Sequence, residues 1–146
     1  MLAKYTPLRF INWKNSIKGK PVNPDLVFGN QCVDVPKHYV NKVLFPSLGW
    51  AKVGIRGNGK DVYNNALSKY FNKVPYKRGV RASRGDIVCY HGTSTNKYGH
   101  VAVVVSRRWR NGSQYTVIEQ NGFNPSGVAY EAVRNYNNCE GLLRFK

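Results

Sequence analysis

Apolar residues recur along the chain at two different spacings, and the change between them, near residue 84, marks out two kinds of structure. Residues 4–18 suit a short amphipathic helix, with Leu8, Phe10, Ile11 and Ile17 as its apolar candidates. Asn23-Pro24-Asp25 then reads as a turn. Over residues 32–44, Val33, Val35, Tyr39, Val40, Val43 and Leu44 return at helical spacing. Pro36 has no N–H to give, so it belongs in the first turn of that helix, which puts Cys32 at or near the helix start. Residues 61–71 read as a further helix with Asp61 as its N-cap.

Beyond residue 84 the segments 86–90, 101–106, 115–119 and 142–145 are short, rich in β-branched and aromatic residues, and separated by Gly/Asn/Ser clusters. Arg110-Asn111-Gly112-Ser113 reads as a hairpin turn joining the second and third of them. Helices followed by an antiparallel run of strands predict an α+β fold. With no internal repeat and no low-complexity linker, residues 1–146 are expected to form a single domain.

Charge changes the picture more than composition does. Lys and Arg number 23 against 7 Asp and Glu, a formal net charge of +16, which predicts a polyanionic partner. The basic residues are scattered, as on a folded basic surface, so nucleic acid and acidic wall polymers such as teichoic acids fit equally well. No apolar run approaches the ~18 residues of a membrane span. The first 20 residues lack the apolar core and cleavage site of a signal peptide, so the chain carries no export address of its own.

Three cysteines leave at least one unpaired within the chain, and none forms a CxxC pair. A free cysteine is commonly a small buried apolar residue. Cys32 has a better electrostatic address than that, because a helix start lowers a thiol pKa and its N–H groups can bind an oxyanion. Cys89 lies inside an apolar strand, and Cys139 in a polar turn near the C-terminus. A thiol nucleophile needs a base. His38 is six residues beyond Cys32 and would point away from the helix end, and His91 follows a strand, whereas His100 opens one after Tyr98-Gly99. Glu119 ends the strand that the hairpin would pair with the His100 strand, which places both at one end of the ladder, and Asn121 follows two residues later. Taken singly, each also reads as a polar surface or strand-end residue.

The segments GNQCVDV, GDIVCY, YGHVAVVV and VIEQNG, in that order, resemble the CHAP family of cysteine, histidine-dependent amidohydrolases/peptidases, whose domains are common in phage endolysins and bacterial autolysins. The resemblance covers about residues 19–146. It implies a papain-like α+β fold with N-terminal helices packed on a twisted antiparallel β-sheet. It also implies a site of Cys32, His100, Glu119 and Asn121 that hydrolyses a peptidoglycan amide through an acyl-enzyme. That enzyme would be an N-acetylmuramoyl-L-alanine amidase, or an endopeptidase of the stem peptide or cross-bridge. Gln31 and Tyr98 are expected to line the substrate and oxyanion region, although either also reads as structural.

Some phage members carry a calcium loop before the cysteine with a DxDG-like sequence. Here Asn23 stands in place of the first Asp, Asp25 matches the second, Leu26 replaces the glycine and Asp34 matches a later acidic ligand. The resemblance thus implies calcium on Asn23, Asp25, the Val27 carbonyl and Asp34, while the same residues also read as a plain turn and an acidic helix start. The partners expected are peptidoglycan and its anionic polymers, met by a monomer that does not insert into membranes and does not act on nucleic acid. The protein would be made in a host cytoplasm and reach the wall after release or as part of a phage particle. The rival reading is a basic, non-catalytic module that binds nucleic acid or wall.

Overall fold

Thr6 and Pro7 start the first helix. In a computed structural model, which describes residues 2–26, 31–107, 112–122 and 127–146, α1 runs over Pro7–Ile17, and the Thr6 side chain accepts the Arg9 N–H at 3.1 Å. Proline at the first helical position loses no bond there, which is why the helix begins three residues later than the apolar pattern suggests. Phe10, Trp13 and Ile17 form its buried face, while Leu8 and Ile11 are exposed. Trp13, not among the expected apolar positions, donates from Nε1 to His38 Nδ1 at 2.8 Å. That bond gives His38 a structural place.

The second helix, α2 (Asp34–Tyr39), passes directly into a π-helical turn over Val40–Leu44. Its core side is made by Val35, Tyr39, Val40, Val43 and Leu44, and the Tyr39 hydroxyl donates to the Gly85 carbonyl at 2.9 Å. One short turn, α3 (Trp50–Val53), ends on Gly54 at φ 88°, a left-handed cap. The expected helix over 61–71 is corrected by the structure. α4 spans Gly59–Asn65, Asn58 is its N-cap, and Asp61 sits inside the first turn, where its carboxylate accepts the Asn58 N–H at 3.0 Å. The segment that follows leaves the helix because it pairs with the last strand of the sheet instead.

Among the described residues that sheet has six strands: β1 (Phe71–Pro75), β2 (Ile87–Tyr90), β3 (His100–Arg107), β4 (Gln114–Glu119), β5 (Tyr130–Asn135) and β6 (Cys139–Phe145). Their spatial order is β1-β6-β2-β3-β4-β5, with every neighbouring pair antiparallel. Cys139 therefore opens a strand and is buried, where a polar turn was expected. Of the expected hairpin turn, Arg110 and Asn111 lie outside the described residues. Alternation along β3 separates two cores: Val101 and Val103 meet Phe10, Tyr39 and Ile118 under the helices, while Ala102 and Val104 meet Tyr115, Val117 and Leu142 on the other face. Among the described residues no helix is long and apolar enough to cross a membrane.

Candidate active site

The register Val103 to Ile118 brings the start of β3 beside the end of β4. His100 and Glu119 meet there, with His100 Nε2 3.0 Å from Glu119 Oε1. The expectation that both sit at one end of the ladder holds. With Nε2 engaged, Nδ1 is the ring nitrogen left to serve a thiol. The His100 backbone is gripped from one side by α4: a Cβ on Gly59 would fall 2.7 Å from His100 Cα, so the helix start can approach this closely only as glycine.

Glu119 is fully buried and saturated with donors. Besides His100, Arg134 reaches it twice, Nε to Oε1 at 2.6 Å and Nη2 to Oε2 at 2.8 Å, and the Tyr130 hydroxyl donates to Oε2 at 2.9 Å. Burial alone would raise this carboxyl, but the hydrogen bonds from His100 and Arg134 outweigh it and hold it at about 2. Glu119 is thus a permanent carboxylate. The chain closes over the pair at Gly122, where a Cβ would lie within 2.1 Å of Glu119 Oε2 and 2.4 Å of Arg134 Nη2.

Cys32 lies two residues before α2 and is partly exposed. Backbone hydrogen bonds with Val101 and Val33 favour its thiolate, and Val101 is the residue after His100, so thiol and imidazole share one end of β3. Here an expectation is corrected. Burial outweighs those hydrogen bonds, the one at the helix start included, and pushes the thiol up to about 11, with the Asp34 and Glu119 charges adding to the rise. Cys89 and Cys139 are buried, and burial raises both, Cys139 to about 12. Cys32 opens on a cleft. Gln31, Asn58, Gly59 and Tyr98 line that cleft of about 410 Å³ with it, while His100 lines a second cavity of about 430 Å³ with Asn96, Gly122 and Arg134. Asn121 is exposed, just past β4, with a left-handed backbone at φ 54°.

The CHAP domain family matches residues 22–121, more than half of the chain, and the matched stretch contains all four expected residues. The chain belongs to the CHAP family. This CHAP domain is 30% identical over 105 residues to Endolysin PlyTW of Staphylococcus phage Twort, a match over 71% of the chain and 21% of that endolysin. Among solved structures it superposes on the endolysin LysIME-EF1 with a TM-score of 0.77 at 21% identity, covering 99% of this chain and 64% of that one. It superposes on Ly7917 with a TM-score of 0.72 at 17% identity, covering 97% of this chain and 63% of that one. The fold is papain-like α+β, as expected. The chain spans about a fifth of the Twort endolysin and somewhat under two thirds of those structures.

Several residues that build the site escaped the sequence reading. Arg134 and Tyr130 come from β5, whose polar edge-strand pattern carries no apolar alternation. Gln120 is fully buried and ties β4 to the cysteine segment: its Nε2 donates to the carbonyls of Val22 at 2.8 Å and Gln31 at 3.0 Å, and its Oε1 accepts the Val22 N–H at 2.9 Å. The signal for Arg134 was the strand-end Glu itself, since a carboxylate buried beside a histidine needs a further cation.

The expected calcium ligands Asn23, Asp25 and Asp34 lie on either side of residues 27–30, which are outside the described residues. Asp25 Oδ2 is ion-paired with Lys37 Nζ at 2.6 Å, both side chains nearly buried. Asp34 gives one oxygen to the Gln31 N–H at 2.7 Å, while its Oδ1 and Asn23 Oδ1 are buried without a hydrogen-bond partner. Burial raises the Asp34 carboxyl to about 6, Asp25 adding to the rise and Lys37 opposing it. Val27 lies outside the described residues.

Proposed function

We propose that this CHAP domain hydrolyses an amide bond of bacterial peptidoglycan, with Cys32 as nucleophile and His100 as general base. The observation that carries the reading is the His100–Glu119–Arg134 chain of hydrogen bonds, ending at the residue whose neighbour, Val101, contacts the thiol. A thiol held near 11 is not a standing thiolate at neutral pH. It ionises by passing its proton to His100 Nδ1 as the substrate carbonyl settles over it. Glu119 accepts the other N–H and stabilises the imidazolium. Asn121 would help hold that pair in place.

The thiolate attacks the amide carbonyl carbon, and the oxyanion is met by backbone N–H groups at the start of α2. Imidazolium then protonates the leaving amine as the C–N bond breaks, leaving a thioester on Cys32. Water, deprotonated by His100, cleaves the thioester and frees the carboxylate. Gln31 and Tyr98, lining the cleft, would touch the substrate on either side of the scissile bond. Both the muramoyl–L-alanine amide and a peptide bond of the stem or cross-bridge fit this chemistry.

Wall affinity would come from the net charge of +16 acting on anionic wall polymers. We infer a monomer that meets the wall after release or on a phage particle. The test is clearing of cell-wall suspensions by wild type and by Cys32→Ala, with mass spectrometry of the fragments. Clearing by wild type alone, with a new free amine on each fragment, supports the proposal and names the bond. Equal clearing by Cys32→Ala removes Cys32 from its role. Wild type that never clears walls but shifts DNA at physiological salt favours the nucleic-acid reading.

A further inference from the structure

We infer that Gln120 is a positioning residue for the reaction: its buried amide fixes the peptide unit joining Gln31 to Cys32 and so holds the nucleophile in place for His100. The inference rests on the proposed role of Cys32 and extends the machinery to a side chain with no solvent exposure of its own.

Glu119 and Gln120 are consecutive, yet they hold different members of the site. Glu119 takes His100, Arg134 and Tyr130 as partners, whereas the Gln120 amide is directed at the backbone of Val22 and Gln31. Base and nucleophile are thereby referred to one short piece of chain at the end of β4. Oε1 of Gln120 accepts the Val22 N–H at 2.9 Å. The two hydrogens on Nε2 go to the Val22 carbonyl at 2.8 Å and the Gln31 carbonyl at 3.0 Å. That pattern admits one orientation of the amide, because the flipped group would set its oxygen against two carbonyls. The pair of bonds to Val22 would suffice to keep the chain folded there. The third reaches the residue before the thiol.

Gln31 is held from two sides. Its N–H donates to Asp34 Oδ2 at 2.7 Å, and its carbonyl accepts the Asp34 N–H at 3.2 Å as well as the Gln120 amide. The bonds to Asp34 are local and would travel with the start of α2. The Gln120 bond comes from 89 residues along the chain and ties the same peptide to the end of β4. In a planar trans peptide the carbonyl and the following N–H point opposite ways. With the Gln31 carbonyl turned to Gln120, the Cys32 N–H is turned away from it and keeps one direction. Gln31 and Cys32 both line the cleft, so a rotation of this peptide plane displaces side chain, N–H and thiol together. Misplacing a reacting group by about 1 Å can cost about 10²-fold in rate.

Gln120→Met keeps the volume and removes all three hydrogen bonds. It should lower the Tm by roughly 10 °C, and a merely structural glutamine would do no more than that. Leu142→Ala, in the outer core and lining neither cavity, supplies a control with a loss of the same order. Initial rates on purified peptidoglycan, taken over a range of wall concentrations well below either Tm, separate the two roles. In Gln120→Met kcat should fall about 10- to 100-fold with KM within about twofold of wild type, and in Leu142→Ala both should stay near wild type. A second readout needs no turnover. Iodoacetamide labelling of Cys32 at neutral pH, mapped by mass spectrometry, should be about tenfold faster in Gln120→Met, since a thiol released from burial by about one pKa unit carries about tenfold more thiolate. The control should label like wild type. A Gln120→Met enzyme with wild-type kcat overturns the inference. Should wild type hydrolyse no peptidoglycan, the proposed function fails and labelling decides: faster labelling of Gln120→Met supports the inference, and equal labelling overturns it. If Gln120→Met does not fold, the same comparison is made with Gln120→Asn, whose arm, one methylene shorter, cannot reach Val22 and Gln31 together.

Discussion

Arg134→Met tests the buried half of the site most directly. The arginine makes two charge-assisted hydrogen bonds to a carboxylate with no solvent exposure, at 2.6 and 2.8 Å. Holding the Glu119 carboxyl at about 2 instead of its ordinary 4.5, a shift that His100 and Arg134 share, corresponds to about 3 kcal/mol of native-state stability at neutral pH, an upper bound on the arginine's part. Removing one partner of a buried pair typically costs about 3–5 kcal/mol, the same order. A Tm loss of roughly 10 °C at pH 7 is therefore expected. The sign with pH follows from the direction of the shift. A carboxyl depressed in the folded state contributes fully above its unfolded value of 4.5, and the contribution fades as pH falls toward about 2. Wild type and variant should thus differ most above about pH 5 and converge in acid. In the variant, burial would lift Glu119, so the acid limb of wall clearing should move to higher pH, while Arg134→Lys should fall between the two. Melts across the pH range and initial clearing rates provide both readouts. A variant with wild-type Tm at pH 7 and an unmoved acid limb would refute the reasoning.

Gly122→Ala should reproduce much of that phenotype without removing any charge, since its Cβ would fall within 2.4 Å of Arg134 Nη2 and 2.1 Å of Glu119 Oε2; the same melts and clearing rates check it. Gln120→Leu removes three hydrogen bonds that tie Val22 and Gln31 to β4, leaving buried backbone groups unpaired, and should cost about 2–4 kcal/mol in urea unfolding. Without substrate, iodoacetamide labelling of wild-type Cys32 should be slow at neutral pH and rise toward about pH 11, because burial holds the thiol up there. Full labelling at neutral pH would refute that reading of the thiol. Wall binding by Cys32→Ala should weaken steeply with added salt, measured by co-sedimentation, because exposed charges are screened within about 8 Å at physiological ionic strength.

How much of this was legible beforehand depended on whether a position's neighbours were local. Cys32, His100 and Glu119 could be picked out because a helix start and two strand ends leave marks in adjacent residues, and the hairpin arithmetic relating β3 to β4 is short-range. The edge strands β1 and β5 left no such marks. Over Phe71–Pro75 and Tyr130–Asn135 one or both faces meet solvent, so apolar alternation is absent and the pairing with β6 and β4 decides the structure. Arg134 was lost with β5. The thiol was misjudged for a related reason: the favourable helix start is local to Cys32, but the burial that outweighs it depends on how the whole chain packs, which adjacent residues do not show.

The acidic residues connect the site to the surface. Each of the seven carboxylates has a partner within the chain, and Asp34, Asp86 and Glu119 are buried. Asp25 pairs with Lys37, Asp86 with Arg144, Glu119 with Arg134, and Glu131 with Lys14 and Lys18. Asp34 and Asp61 hold backbone N–H groups near helix starts, and Glu140 lies 4.0 Å from His91. Carboxylates committed in this way leave little free negative charge to oppose the remaining lysines and arginines, so the excess of +16 acts outward. Two tasks are thereby separated. Acidic groups shape the interior, where Glu119 orients His100 and Asp34 fixes Gln31 before Cys32. The excess basic groups would be what meets the proposed wall polymers. A substitution that frees one interior carboxylate should therefore cost stability or turnover well before it reduces attraction to the wall, whereas scattered surface lysines can be exchanged with the opposite result.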